Sequence, residues 1–252
     1  VQLGGPIGDL SSFNYKGNLI KKKLAAFLGL EFDNFNWQNQ RDRIIEFCNT
    51  LSMISGSIGK VAKDFLVLSQ DEISEIQFNK SGISSSMRHK NNPIIAELLV
   101  ALSKLNANRL SMIHETLMHK NERDGVSWIV EWNTLYSMLR LTSASLSHFN
   151  KCISSLKLNK DNMRKNIDNT YGLVMSDFFY KELLKEYSAS KLDKIFPSFI
   201  EKALKEKKDL SYVVNSYLGK NLNINKDIFL SEYTKSNNDL IKSIQKKFSH
   251  IL

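Results

Sequence analysis

The 252 residues carry a formal charge of +9, with 42% hydrophobic content and only three prolines, Pro6, Pro93 and Pro197. That apolar share can bury a sizeable core in one or two domains, while no apolar run approaches the roughly 20 residues of a membrane span and no secretory h-region opens the chain. The basic residues are spread, and Lys21-Lys22-Lys23 and Lys205-Glu206-Lys207-Lys208 read as solvated helix faces. A positive field that gathers a small polyanion suits this charge better than nucleic acid does.

In chain order, Gln2-Leu3-Gly4-Gly5-Pro6-Ile7-Gly8 comes first. No Gly-Lys-Ser/Thr follows it, so it is not a phosphate loop. Gln40 to about Leu68 predicts one long helix, because Ile44, Phe47, Cys48, Leu51, Ile54, Ile58, Val61, Phe65 and Leu68 recur every three or four residues. Such a helix spans roughly 45 Å, a length that suits a bundle. Residues 70–92 read as a polar loop, and Pro93 suits the first turn of the next helix. That helix carries Ile94, Leu98, Leu102, Leu105, Leu110, Ile113 and Leu117. After a polar break at Asn121–Val126, a third helix runs from about Ser127 to Ser155, with Trp128, Leu135, Met138, Leu139, Leu146, Phe149 and Ile153. No alternation lasts long enough to predict a sheet. Beyond Asn159 the helical segments shorten and polar breaks multiply. The expectation is an all-α chain: a long-helix bundle over 1–159 and a small helical domain over 160–252.

Cys48 and Cys152 lie far apart in apolar helical patterns, as buried free thiols of a reducing cytosol would. The five histidines form no His-Glu-x-x-His pair, so no metal site is expected.

The segment with most chemistry is Ser84-Ser85-Ser86-Met87-Arg88-His89-Lys90-Asn91-Asn92-Pro93, followed by Glu97. Serine is a poor base in water. It works only where N–H groups or cations stabilise its oxyanion and water is excluded. Hydroxyls, an ammonium and an amide at the mouth of a helix supply that chemistry. A plain serine-rich linker with a capping residue before Pro93 accounts for the spacing equally well.

That segment resembles the signature loop of the fumarase/aspartase superfamily, which reads Gly-Ser-Ser-x-Met-Pro-x-Lys-x-Asn-Pro. Gln40-Arg41-Asp42-Arg43, Glu122-Arg123-Asp124 and Glu131 resemble its adenylosuccinate lyase and muconate cycloisomerase branches. Gln2–Gly8 resembles the Gly-rich segment that follows a core helix in the family. The chain departs from the signature at Ile83, where the family has glycine, and at Arg88, where it has proline.

By position, the resemblance implies that Ser84 transfers the proton. Ser85, Lys90 and Asn92 would bind the substrate carboxylate, and Glu97 would orient a histidine from another subunit. Arg43 and Arg123 would hold a second carboxylate or pair with Asp42 and Asp124. Trp128 and Trp132 stand where adenylosuccinate lyases carry a serine and an arginine that hold phosphate, so they would set specificity for 3-carboxy-cis,cis-muconate. Ordinary bundle packing is the alternative for the two indoles, and for the activity the alternatives are an adenylosuccinate lyase-like C–N lyase releasing fumarate or a family member that has lost its chemistry. The family implies no cofactor, a small polycarboxylate substrate, a cytoplasmic homotetramer with shared sites, and no membrane or nucleic-acid partner. It also implies a preceding segment, bearing the histidine, that this sequence does not contain.

Overall fold

The computed structural model describes residues 1–78, 82–83, 91–219 and 226–249. These divide into two compact units, Val1–Asn159 and Lys160–Leu252. The fold is all-α, as its helical periodicity predicts.

In the first unit a 3-10 turn, Ser11–Phe13, precedes α1 (Gly17–Leu28) and α2 (Asp42–Leu68). Four short strands follow among the helices: β1 (Ile76–Phe78), β2 (Gly82–Ile83), β3 (Asn91–Asn92) and, after α3 (Ile94–Glu115) and α4 (Gly125–Ser155), β4 (Leu156–Leu158). Thus α2 begins two residues later, and α4 two residues earlier, than the apolar spacing suggests. Pro93 caps α3 from just outside its first turn, where its missing N–H leaves no bond unmade. Asp124 caps α4 by accepting from the backbone N–H groups of Val126 and Ser127 at 3.0 and 3.4 Å.

The strands correct the expectation of a loop without sheet. β1 and β4 pair antiparallel, with Ile76 opposite Leu158 and Phe78 opposite Leu156. Phe78 also meets Phe65 of α2 edge-on, their centroids 6.0 Å apart. β2 and β3 pair antiparallel, with Gly82 opposite Asn92 and Ile83 opposite Asn91. Two or three residues are too few to write an alternating pattern into a sequence.

The three long helices pack on one another, and the faces they turn inward follow the apolar stripes read above only in part: Cys48, Leu51, Ile58, Leu102, Ile113 and Met138 are buried. Phe47, Ile54, Leu98, Leu105, Leu139, Leu146 and Ile153 are exposed. Buried instead are Ser52, Ser55, Gly59 and Ala62 on α2, Ala96 and Asn106 on α3, and Thr134, Thr142 and Ser145 on α4, beside Cys48, Leu51, Ile58, Leu99, Ile113 and Met138. Small residues let helix axes approach. At Gly59 an added Cβ would overlap the Ser103 side chain of α3. A polar layer links all three helices, although Asn106 Oδ1 and the Thr134 hydroxyl are buried without a hydrogen-bond partner. Asn106 donates through Nδ2 to Ser55 Oγ and Thr142 Oγ1, both at 2.9 Å, and Thr142 donates to the Met138 carbonyl at 2.9 Å.

The second unit contains α5 (Lys160–Asp168), a 3-10 turn (Leu173–Met175), α6 (Ser176–Leu183), α7 (Ala189–Glu206), α8 (Leu210–Leu218) and α9 (Lys226–Phe248). Its core is apolar throughout: Met175, Phe179, Leu183, Leu192, Phe196, Phe199, Ala203, Leu210, Val213 and Val214. Cys48 and Cys152 are buried free thiols. Among the described residues no helix is long and apolar enough to cross a membrane, and no cluster of three His, Cys, Asp or Glu could hold a metal ion.

Candidate functional site

The functional residues read from the sequence fall into two groups. The first is the signature segment. Ser84, Ser85 and Lys90, with Arg88 among them, lie outside the described residues. Its flanks are described. The β2–β3 ladder joins Ile83 and Asn91, the residues on either side of 84–90. Asn92, Pro93 and Glu97 line a surface groove of about 580 Å³ with Leu66, Ser69, Gln70, Asp71 and Glu72. The groove therefore lies between the C-terminal end of α2 and the N-terminal end of α3. Asp71, Glu72 and Glu97 give its described lining a negative charge.

The second group sits at the other end of α2. Arg41 reaches Glu131 of α4 with a forked pair of bonds, Nε to Oε2 at 2.6 Å and Nη2 to Oε1 at 2.5 Å. Its Nη1 also donates to the Gln38 carbonyl at 3.2 Å. Gln38 and Asn39 donate to the carbonyls of Glu122 and Asn121 at 3.1 and 3.0 Å. The loop before α2 is thereby fixed to the loop before α4. Sequence reasoning singled out both motifs but missed this pairing, since its partners are 90 residues apart. A glutamate flanked by two tryptophans inside a helix was the available signal.

The arginines expected to hold a second carboxylate have other partners. Arg43 lies over the Trp37 ring at 5.4 Å and pairs with Asp33 at 3.4 Å, not with Asp42. Being exposed, that ion pair contributes little stability. Arg123 lies over Trp128 at 5.4 Å. Asp124 serves as the helix cap, and its carboxyl titrates below the ordinary carboxylate range because the Lys120 N–H, the Ser127 hydroxyl and further backbone N–H groups stabilise its anion. Trp128 and Trp132 stack at 6.1 Å and 21°, with the His119 ring 6.3 Å from Trp128. Trp132 is 61% exposed, so the stack presents an indole face to solvent.

The Gly-rich start packs against this second group. Gly5 and Gly8 hold φ of +72° and +86°, which favours glycine. Asn36 donates to the Gly8 carbonyl, and the Trp37 N–H donates to Gln2 Oε1 at 2.9 Å.

The described residues of the two groups do not meet within one chain. Arg43 opens α2 and the Asn92–Glu97 groove borders its end, so they are separated by roughly 40 Å at 1.5 Å per residue. A single substrate touching both would be held by residues of more than one copy.

Comparison with known proteins agrees with this architecture. The lyase family pattern matches residues 2–105. The crystal structure of the 3-carboxy-cis,cis-muconate lactonizing enzyme from Pseudomonas putida superimposes with a TM-score of 0.76 at 28% identity, covering 85% of this chain and 48% of the other. The protein thus has the helical lyase fold, and the chain belongs to the fumarate lyase superfamily. Among its relatives, the 3-carboxy-cis,cis-muconate cycloisomerase of Acinetobacter baylyi is 29% identical over 218 residues, 85% of this chain and 48% of the relative. The N-acetyl-S-(2-succino)cysteine lyase of Enterococcus italicus is 33% identical over 178 residues, 69% and 39% of the two chains. The chain spans about half the length of the curated cycloisomerases it matches.

Proposed function

We propose that this chain carries part of the active site of a cycloisomerase that closes 3-carboxy-cis,cis-muconate to its lactone. The observation that carries the reading is the Trp128–Trp132 stack, an exposed aromatic face with a guanidinium on it, at positions where a phosphate-binding branch would need anion-gripping groups. A conjugated, planar polycarboxylate can lie against an indole face while its charges meet cations. Cycloisomerases also recur among the relatives.

In the proposed reaction a substrate carboxylate oxygen adds to a neighbouring double bond and forms the lactone C–O bond. The carbon next to another carboxylate receives a proton, drawn from solvent through the Ser84 hydroxyl. Charge accumulates on that second carboxylate in the transition state. Lys90 and Asn92 stabilise it, one by charge and one by hydrogen bond, and Ser85 adds a hydroxyl. Glu97 orients a histidine of another subunit. Arg43 and Arg123 bind the remaining carboxylate in this reading, their planar faces on indoles, with Arg43 exchanging its exposed Asp33 partner for the substrate anion. The site is shared within a cytoplasmic homotetramer, needs no cofactor or metal, and has no membrane or nucleic-acid partner. The exposed apolar faces of α2, α3 and α4 support that assembly.

A second reading, elimination from a succinyl adduct with release of fumarate, draws on the 33% identical succinocysteine lyase. It uses the same residues in the reverse sense: Ser84 removes the proton next to a carboxylate and the C–S or C–N bond breaks. The full-length protein with Ser84→Ala should lose turnover of 3-carboxymuconate by more than a hundredfold, on the scale of a lost proton-transfer group of about 10²–10⁴. Retained turnover would remove Ser84 from the mechanism.

A further inference from the structure

We infer that Arg41 and Glu131 form a positioning pair whose forked geometry sets the angle at which α4 presents the Trp128–Trp132 stack. Its consequence for substrate rests on the cycloisomerase reading, while its consequence for the indoles does not.

Both side chains are largely withdrawn from solvent, Arg41 at 13% and Glu131 at 4% exposure. Two parallel N–H···O bonds fix the plane of the carboxylate as well as its distance. Glu131 lies three residues after Trp128 and directly before Trp132, so fixing its plane fixes the roll of the helix segment that bears both rings. On the other side of the fork, Arg41 stands two residues before Arg43 and is tied back to Gln38. The same contact therefore places Arg43 on its Trp37 and Arg123 on its Trp128 relative to one another. Stability alone does not demand ions at this point. Replacing a buried pair with apolar groups of similar volume is often neutral or stabilising. What an apolar pair cannot supply is a preferred orientation.

That difference gives the test. Arg41→Met with Glu131→Leu fills the same space without the fork. The double variant should keep its helical circular dichroism and its melting midpoint. Its near-ultraviolet signal from the stacked indoles should fall to that of Trp132→Phe. In the full-length enzyme, KM for 3-carboxymuconate should rise about tenfold with kcat nearly unchanged, the pattern of lost substrate positioning. A double variant with the parent's indole signal would overturn the inference. If that variant does not fold, Glu131→Gln, which keeps the volume and breaks the fork, is read by the same signal. Absence of turnover in the parent counts against the proposed substrate, and the indole signal then decides the positioning role by itself.

Discussion

The two units differ in how much polar surface they bury. The second closes on aromatic and branched apolar side chains, with Phe179, Leu192 and Ala203 fully enclosed. The first buries small and polar residues beside Leu51, Leu99, Ile113 and Met138 between its long helices, and leaves Met53, Leu105, Tyr136 and Leu146 outside. A unit of the second kind is built around its own hydrophobic core. One of the first kind has a second apolar face on each helix, in excess of what its own packing uses, and such faces mark association. The contrast also bears on where the site residues lie. Asn92 and Glu97 stand at one end of α2, and the arginine–tryptophan group stands at the other. The bundle holds these two groups of residues far apart.

The sharpest way to break this contrast is a matched pair of truncations. Phe179→Ala should cost about 3–5 kcal/mol in urea unfolding, the range for an emptied core position. Leu105→Ala, on an outward face, should move the monomer's stability by no more than about 0.5 kcal/mol while weakening self-association measured by sedimentation. Equal losses of stability would erase the distinction. Next in size is the close approach of α2 and α3. Gly59→Ala should cost about 1–3 kcal/mol through overpacking, and Ser103→Gly in the same chain should restore most of it, both read from thermal melts. Failure of that rescue would mean the helices can separate freely there.

The smallest effect concerns Cys48. Burial, with the Glu131 charge adding to it, pushes its thiol from 9.0 up to about 11. Because the folded value is raised, its contribution to stability is complete below pH 9, where the unfolded thiol titrates, and is lost as pH rises toward 11. The native chain should therefore resist thiol alkylation at neutral pH and react once denaturant opens it. Rapid native labelling would contradict the packing described for the bundle.

The helices were legible because a spacing of three and four, sustained over more than twenty residues, is a period that neither strands nor loops keep. Which face points inward was legible only in part. Phe47, Leu98 and Leu139 are larger and more apolar than Ser55, Asn106 and Thr142, so the sequence advertises the outer stripe more strongly than the inner one. Only the partner helix decides between them, through close approach at Gly59 and hydrogen bonds at Asn106. The short ladders β1–β4 and β2–β3 left no periodic trace. Asn92, Glu97, Trp128 and Trp132 could be picked out by their resemblance to the superfamily's motifs, but their separation into two groups depends on the length of α2. The Arg41–Glu131 fork was hidden for the same reason as the inner face: each residue has a visible motif, and the contact between them is tertiary.

The most direct test is product formation by the full-length protein offered 3-carboxy-cis,cis-muconate and N-acetyl-S-(2-succino)cysteine side by side. The lactone should form, at a kcat/KM well above that for release of fumarate from the succinyl adduct. Preference for the succinyl adduct would contradict the assignment of the tryptophan stack to a conjugated polycarboxylate.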